Sequence, residues 1–488
     1  MKSSLSHKFK AELPYYTILA SFYVILTILT LSIPFFWDNI ALISKPAQAF
    51  YEQHLQILLL PPEFNPIHPP FYAYYLAVIW TVFGKSLAAM HWAILPFLFG
   101  VALATLKIAF YFFPSSGRFW AGLFIIIQPG LLAQGIYAGS DLPYLCGIMF
   151  SLMGILTQKR YYLTFGLIFV LLTNLKGLIW LPILFVIDVL VRNYSNTQNY
   201  FSGFKSSLTK IYRAYLPGCI LVVAWFVYQY LHLGYFIYPK HSHWSQGEGF
   251  FGNFSQMLRS LAVSGWRLLD NGHIIGWTIL LFCLFIIRRE KLPFTTAQSK
   301  LLLTLIVSAV LFPAALMLRD APNMHRYFIP VYLLLWLAVL AFIEVLQPIT
   351  QKIVVILSLA ALLSGHWWVY PYPIANSWDN TLATLPYFKL NAQADIVISN
   401  LNTSKKITVG TEFPLYAAPK YKDLTDLVVD GLMDIGEFSG KRDTVPYFLW
   451  SNVSNDFPPE LHDSLSQYCN VLWQGQDGFI KMTLFECQ

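Results

Sequence analysis

The sequence predicts a polytopic α-helical membrane protein that carries a small extracytoplasmic domain, α/β or α+β, at its C-terminal end. Two observations lead there. Of 488 residues, 56% are hydrophobic and 12% charged, with 32 Lys and Arg against 25 Asp and Glu. A soluble chain carries about 25% charged residues, so several water-facing domains could not be covered with so few. Apolar runs close to the ~20 residues that a bilayer core demands recur up to residue 370 and then stop. An aromatic content of 17% excludes disorder. No clustered basic patch is present, which excludes nucleic acid as a partner.

The apolar runs lie near 15–36, 88–113, 119–140, 142–157, 161–175, 177–191, 214–233, 264–287, 301–318, 327–346 and 353–370. Lys107, Asp188, Arg267, Asp270 and Glu344 interrupt some of them, so their boundaries are soft. The first run is no cleavable signal, because it is too long and Pro34-Phe35-Phe36-Trp37 is a poor cleavage site. Residues 69–83 form a shorter run, and counting it as a span would reverse the orientation of everything that follows. Lys and Arg mark cytoplasmic loops. If 69–83 does not cross, Lys159-Arg160, Arg192, Arg288-Arg289 and Lys352 fall inside, and the outer segments before residue 371 hold about half as many basic residues. The run 69–83 therefore reads as a helix on the outer face. The expectation is about 11 spans, an inside N-terminus and an outside C-terminus.

Domain organisation follows. Residues 1–370 form the transmembrane unit, with 37–87 as a large first external loop, and 371–488 form the external domain. In the loop, Ile40, Ile43, Ala47, Phe50 and Tyr51 recur at helical spacing opposite Lys45, Gln48, Glu52 and Gln53, a pattern suited to an interfacial helix. The external domain holds short strand-like runs, Ile407-Thr408-Val409 and Tyr447-Phe448-Leu449-Trp450 among them. Two more flank Gly475-Gln476-Asp477-Gly478, a hairpin-turn sequence. Cys469 and Cys487 could pair if this domain faces an oxidising compartment. Cys146, Cys219 and Cys283 lie in apolar stretches, and no spacing points to zinc.

Charged groups at a membrane surface are either topological anchors or working groups. Asp38 follows the first span directly, as a solvated helix-end carboxylate or as a reactive one. Asp141 ends Tyr137-Ala138-Gly139-Ser140-Asp141; as an N-cap it would start a helix whose first turn holds Pro143, and that role does not exclude chemistry. His68-Pro69-Pro70 suits a helix start. Lys176 is a snorkelling lysine or, against the positive-inside trend, the partner of an anion. Arg319, His325 and Arg326 gather just before Tyr327, which points to an anion there; pairing with Asp320 is the alternative, more so for Arg319 than for Arg326. His241 and His243 have the spacing of a surface loop and give no metal site.

Taken in order, these residues resemble a family. Asp38 is similar to the acidic position that opens the first external loop of protein O-mannosyltransferases and their bacterial relatives, including the enzymes that add aminoarabinose to lipid A. His68-Pro69-Pro70-Phe71 followed by Phe83-Gly84 resembles their His-Pro-Pro-Leu helix ending in Phe-Gly. Ser140-Asp141 is similar to their second acidic position, and Thr173-Asn174-Leu175-Lys176-Gly177 to their Leu-Thr-Lys-Gly turn. His325-Arg326-Tyr327-Phe328-Ile329-Pro330 resembles their Arg-Tyr-Leu-Leu-Pro entry to a late span. The resemblance covers residues 15–345. Two positions depart from it: Asn39 stands where the family often has Glu, and His91 where an Arg commonly begins the second span.

The resemblance implies a GT-C-type glycosyltransferase that takes a sugar from a polyprenyl-phosphate carrier at the outer membrane face. Asp38 would be the general base, and Asp141 would position the acceptor or organise the site. Lys176 and Arg326 would hold the donor phosphate, with His325 or His91 assisting, and His68 and Tyr327 would lie on the substrate loop. The chemistry is coherent. Inverting transfer needs one base, and a lipid phosphate leaves as an anion that cations stabilise, with no acid required. Such a mechanism requires no cofactor, and a divalent metal is left open. The implied partners are the lipid-linked donor, an unassigned acceptor and the bilayer, in a plasma (inner) membrane if the source is bacterial. The rival reading is a transporter or flippase for a lipid-linked or anionic substrate, which would place its charges within spans, often with inverted repeats. An envelope-binding scaffold is a third.

Overall fold

The computed structural model describes residues 2–64, 67–194, 200–237, 253–318, 323–371, 374, 376–401, 409–411, 432–434, 446–453 and 459–487. His241, His243, Arg319 and Asp320 lie outside these residues. The chain begins with α1 (Lys2–Thr30), a π-helical turn (Ile40–Ser44) leading into α2 (Lys45–Glu52), α3 (Phe71–Phe83) and α4 (Leu87–Phe112). Then come α5 (Ser115–Ile127), α6 (Pro129–Ile136), α7 (Leu142–Leu156), α8 (Arg160–Thr173), α9 (Gly177–Tyr194) and α10 (Tyr200–Leu233). The bundle closes with α11 (Phe254–Leu269), α12 (His273–Arg289), α13 (Thr296–Leu316), α14 (Ile329–Phe342) and α15 (Pro348–Ser364).

Among the described residues, seven helices are long and apolar enough to cross a membrane, or nine if each of two bent pairs is one span. The protein is a polytopic helical membrane protein. The apolar stripe over 40–50 is turned into the protein: Ile40, Ile43, Ala47 and Phe50 are all buried. α3 has 13 residues, about 20 Å of helix and short of a bilayer core. It packs on α2 and α4.

Two runs expected as continuous spans are bent, which corrects the sequence expectation. α5 and α6 meet at 51°. Pro129 has no N–H to continue the ladder, and the Gln128 side chain caps α6 by accepting from the Leu131 amide. α11 and α12 meet at 81°, with Asn271 and Gly272 forming the corner at φ of 52° and 86°. Hydropathy passes straight through such corners, because the breaking residues are few.

Close packing elsewhere depends on small residues. A Cβ on Gly154 would lie 2.4 Å from the Leu163 amide nitrogen, and one on Gly166 2.4 Å from Ser151 Oγ, so α7 and α8 can approach backbone to backbone. α14 is the central helix, since each of its residues is buried. Whatever stands at its N-terminal end is therefore enclosed by the other helices.

The last part of the chain comprises α16 (Leu385–Leu401), five strands and one more helix. The strands are β1 (Val409–Thr411), β2 (Leu432–Asp434), β3 (Tyr447–Ser451), β4 (Asn470–Asp477) and β5 (Ile480–Glu486), in sheet order β2-β1-β3-β5-β4. β1 pairs parallel with β2 and β3, while β5 pairs antiparallel with β3 and β4. Alternation sends Leu449, Met482 and Leu484 into one core with Leu390 and Ala394 of α16. Phe448, Trp450 and Phe485 face Leu461 and Leu465 of α17 (Pro459–Tyr468). The β4–β5 hairpin turns at Gly478, whose φ is 55°, and a disulfide joins Cys469 to Cys487. This domain shares its core with the bundle. Phe36, just past α1, sits 5.5 Å from Tyr387, 5.3 Å from Phe388 and 5.5 Å from Tyr137, ring centre to ring centre.

Candidate active site

The ends of α1, α6, α8 and the start of α14 meet at one end of the bundle, and each delivers a polar residue. Arg326 lies on a 3-10 turn (His325–Phe328) directly ahead of α14, and its side chain is 3% exposed. Each of its three guanidinium nitrogens engages a different carboxylate. Nε donates to Asp141 Oδ2 at 2.6 Å, Nη2 to Asp38 and Nη1 to Asp379. Asp141 stands at the N-terminus of α7, but its side chain makes no capping bond there. It accepts instead from the Asn174 amide at 2.8 Å and lies 3.6 Å from the Lys176 ammonium. Asn174 also accepts from the Lys176 backbone amide at 3.0 Å, so one side chain shapes the turn and presents the lysine. Lys176 is buried, with its ammonium 3.7 Å from the centre of the Tyr327 ring, a cation–π contact and not a snorkelling one.

These charges are unequally accessible. The side chains of Asp141 and Asp379 are 3% and 10% exposed, whereas Asp38 is 31% exposed. Asp38 is thus the carboxylate of the group that solvent or a second substrate can reach. Burial pushes the Asp141 carboxyl up, but Lys176 and Arg326 outweigh it, and His68 adds to them, so the group is held below the usual carboxylate range. The turns feeding the site are tight: Trp37 and Ala138 adopt φ of 56° and 48°. Asn39 ties those turns together, donating to the Tyr137 carbonyl at 3.0 Å and accepting from the Ser140 amide at 2.7 Å.

No family model and no curated protein sequence matches the chain. Solved structures do. ArnT from Cupriavidus metallidurans, bound to undecaprenyl phosphate, aligns with a TM-score of 0.54 at 13% identity, covering 96% of this chain and 97% of that one. The apo state of the same enzyme aligns with a TM-score of 0.52 at 12% identity, over 97% and 98% of the two chains. An oligosaccharyltransferase from Archaeoglobus fulgidus, in complex with Zn and sulfate, aligns at 0.50 and 12% identity, over 89% of this chain and 67% of that one. The chain has the GT-C fold.

Within this GT-C fold, Asp38, Asp141, Lys176, Arg326 and Tyr327 come together, and His68 lies close enough to act electrostatically on Asp141. His325 and His91 are placed differently. The His325 ring meets Asp270 Oδ2 at 2.5 Å and an Arg267 nitrogen at 3.1 Å, part of a buried group that also takes the Tyr370 hydroxyl at 2.5 Å. His91 Nε2 bonds the Ile33 carbonyl at 2.9 Å, bracing the end of α1. Among the described residues, no set of three or more His, Cys, Asp or Glu is placed to hold a metal.

Sequence reasoning misses Asp379. It belongs to Ser377-Trp378-Asp379-Asn380-Thr381, a stretch that turns back from the C-terminal part of the chain and buries itself against α6. Gln134 donates to the Asp379 carbonyl and Tyr137 to the Thr381 carbonyl, both at 2.8 Å. Gly130 leaves room for the visitor: a Cβ there would lie 2.5 Å from Asn380 Oδ1. The only cue in the sequence is Trp378 amid polar residues, and it is weak.

Proposed function

We propose that the protein is a glycosyltransferase that moves a sugar from a polyprenyl-phosphate carrier to an acceptor at the outer face of the membrane, with inversion at the sugar carbon. The observation that carries this reading is the half-buried Asp38 carboxylate, held by Arg326 and reachable from solvent, beside Lys176 at one end of a GT-C bundle. In the step proposed, Asp38 takes the proton of an acceptor hydroxyl as that oxygen attacks C1 of the sugar. The C1–O bond to phosphate breaks, and its electron pair leaves on the lipid phosphate. Lys176 and Arg326 stabilise that charge electrostatically. Asp141 holds both cations in place.

The outer location draws support from two features. The positive-inside distribution favours an outer position for these ends, and the Cys469–Cys487 disulfide suits an oxidising compartment. An inside N-terminus and the order of basic and non-basic loops along the sequence favour one face for every site residue. A transporter would not need its charges gathered at one end. Undecaprenyl phosphate, bound in the ArnT structure, supports a polyprenyl carrier here. The test is incubation of the purified protein with a panel of polyprenyl-phosphate sugars, following loss of the sugar from the lipid. Asp38→Asn should lower the rate by about 10²–10⁴-fold without loss of membrane expression. Near-normal turnover by that variant would sink the assignment of the base, and no consumption of any lipid-linked sugar by the wild type would sink the activity.

A further inference from the structure

We propose that Asp379 is an internal competitor for the donor phosphate: it occupies Arg326 between turnovers and gives that cation up when the lipid phosphate arrives. The inference rests on the reading of Arg326 as a phosphate ligand. All three guanidinium nitrogens of Arg326 are engaged by carboxylates, and the side chain is 3% exposed, so the cation as it stands presents almost nothing to a newcomer. Charge balance points the same way. Asp38, Asp141 and Asp379 face Arg326 and Lys176, which leaves the group one negative charge. An arriving phosphodiester would add a second, in a site where burial strengthens repulsion. One carboxylate must withdraw.

The geometry selects which. Asp141 cannot leave, because Arg326, Asn174 and Lys176 all hold it and its side chain is 3% exposed. Asp38 must stay to act as the base. The Asp379 carboxylate has Arg326 as its ion-pair partner, while its loop is anchored through backbone carbonyls that Gln134 and Tyr137 grip. Rotation about its side-chain bonds therefore frees Arg326 without moving the loop. The exchange also favours release of the product. The donor is a phosphodiester with one charge, and the departing lipid is a phosphomonoester with about −1.5 to −2 at neutral pH. That product is the more tightly held anion, and a returning Asp379 competes it away.

The experiment compares wild type, Asp379→Asn and Asp379→Glu for binding of undecaprenyl phosphate by titration calorimetry in detergent, with thermal unfolding of each. Asp379→Asn should tighten Kd by about tenfold, because the competent form no longer has to be drawn from an occluded one. In turnover assays it should lower KM for the donor and strengthen inhibition by added polyprenyl phosphate. Asp379→Glu keeps the competing charge and should stay within about twofold of wild type. Unchanged or weaker binding by Asp379→Asn overturns the proposal. Weaker binding with a lowered unfolding temperature does so too, by assigning the side chain a purely structural role. If wild type itself does not bind the lipid phosphate, the reading of Arg326 falls first and this inference with it.

Discussion

Replacing Arg326 with methionine removes the hub of the site while keeping a flexible apolar side chain in its place. Three carboxylates then share one cation, Lys176, and the net charge of the group falls from one negative to two. Breaking a buried pair by removing one partner costs about 3–5 kcal/mol. Asp141 and Asp379 fall under that rule, whereas Asp38, 31% exposed, adds at most about 1 kcal/mol after solvent screening. Arg326→Met should therefore destabilise the protein by about 3–5 kcal/mol. Because the penalty is a surplus of negative charge, Asp379→Asn in the same background should recover part of it, with a coupling of about 1–2 kcal/mol. The assay is reversible unfolding in mixed micelles, followed by tryptophan fluorescence on both single variants and the double variant. A loss under about 1 kcal/mol for Arg326→Met, or additivity of the two substitutions, would refute the hub.

Three more expectations come from other parts of the molecule. Because the folded pKa of Asp141 is depressed, its contribution to stability is full above the unfolded value of about 4 and is lost as the pH falls through the folded value. The stability gap between wild type and Asp141→Asn should accordingly shrink on acidification below about pH 4, and a gap constant with pH contradicts this. Gly272→Ala should cost at least about 1–3 kcal/mol, since φ there is 86° and a Cβ would lie 2.2 Å from the Ala361 carbonyl oxygen; a thermal melt measures it. Cys469→Ser opens a link between residues 18 apart and should weaken the C-terminal domain by about 3 kcal/mol. Limited proteolysis within 459–487 reports that loss, and unchanged resistance counts against it.

Much of the bundle is legible in the sequence because a bilayer enforces long apolar runs. The bends at Gln128-Pro129 and Asp270-Asn271-Gly272 are not, since a few residues barely move a hydropathy window. Lys176 and Arg326 stand out in the sequence as basic residues in segments where few are expected, and both prove to be buried at the site. Asp141 reads equally as a helix cap, and only tertiary contacts show its carboxylate turned to Arg326 and Asn174. His325 shows the limit of adjacency. On a 3-10 turn successive side chains point about 120° apart, so His325 meets Asp270 while its neighbour Arg326 meets the three aspartates. Asp379 is hidden because its surroundings have the composition of a water-facing segment.

The late position of Asp379 sets an order of events during synthesis. Asp38, Asp141 and Lys176 are already made when Arg326 leaves the ribosome, and the two carboxylates can engage that cation once α14 has followed it. Asp379 follows about 50 residues later, a delay of about 3–10 s at ordinary elongation rates. On that schedule the newborn site spends its first seconds with Arg326 still partly unclaimed, and the C-terminal domain arrives as its closing piece. A chain cut short before residue 377 would lack the carboxylate that engages Nη1 of Arg326, leaving Asp38 and Asp141 as the partners of that cation.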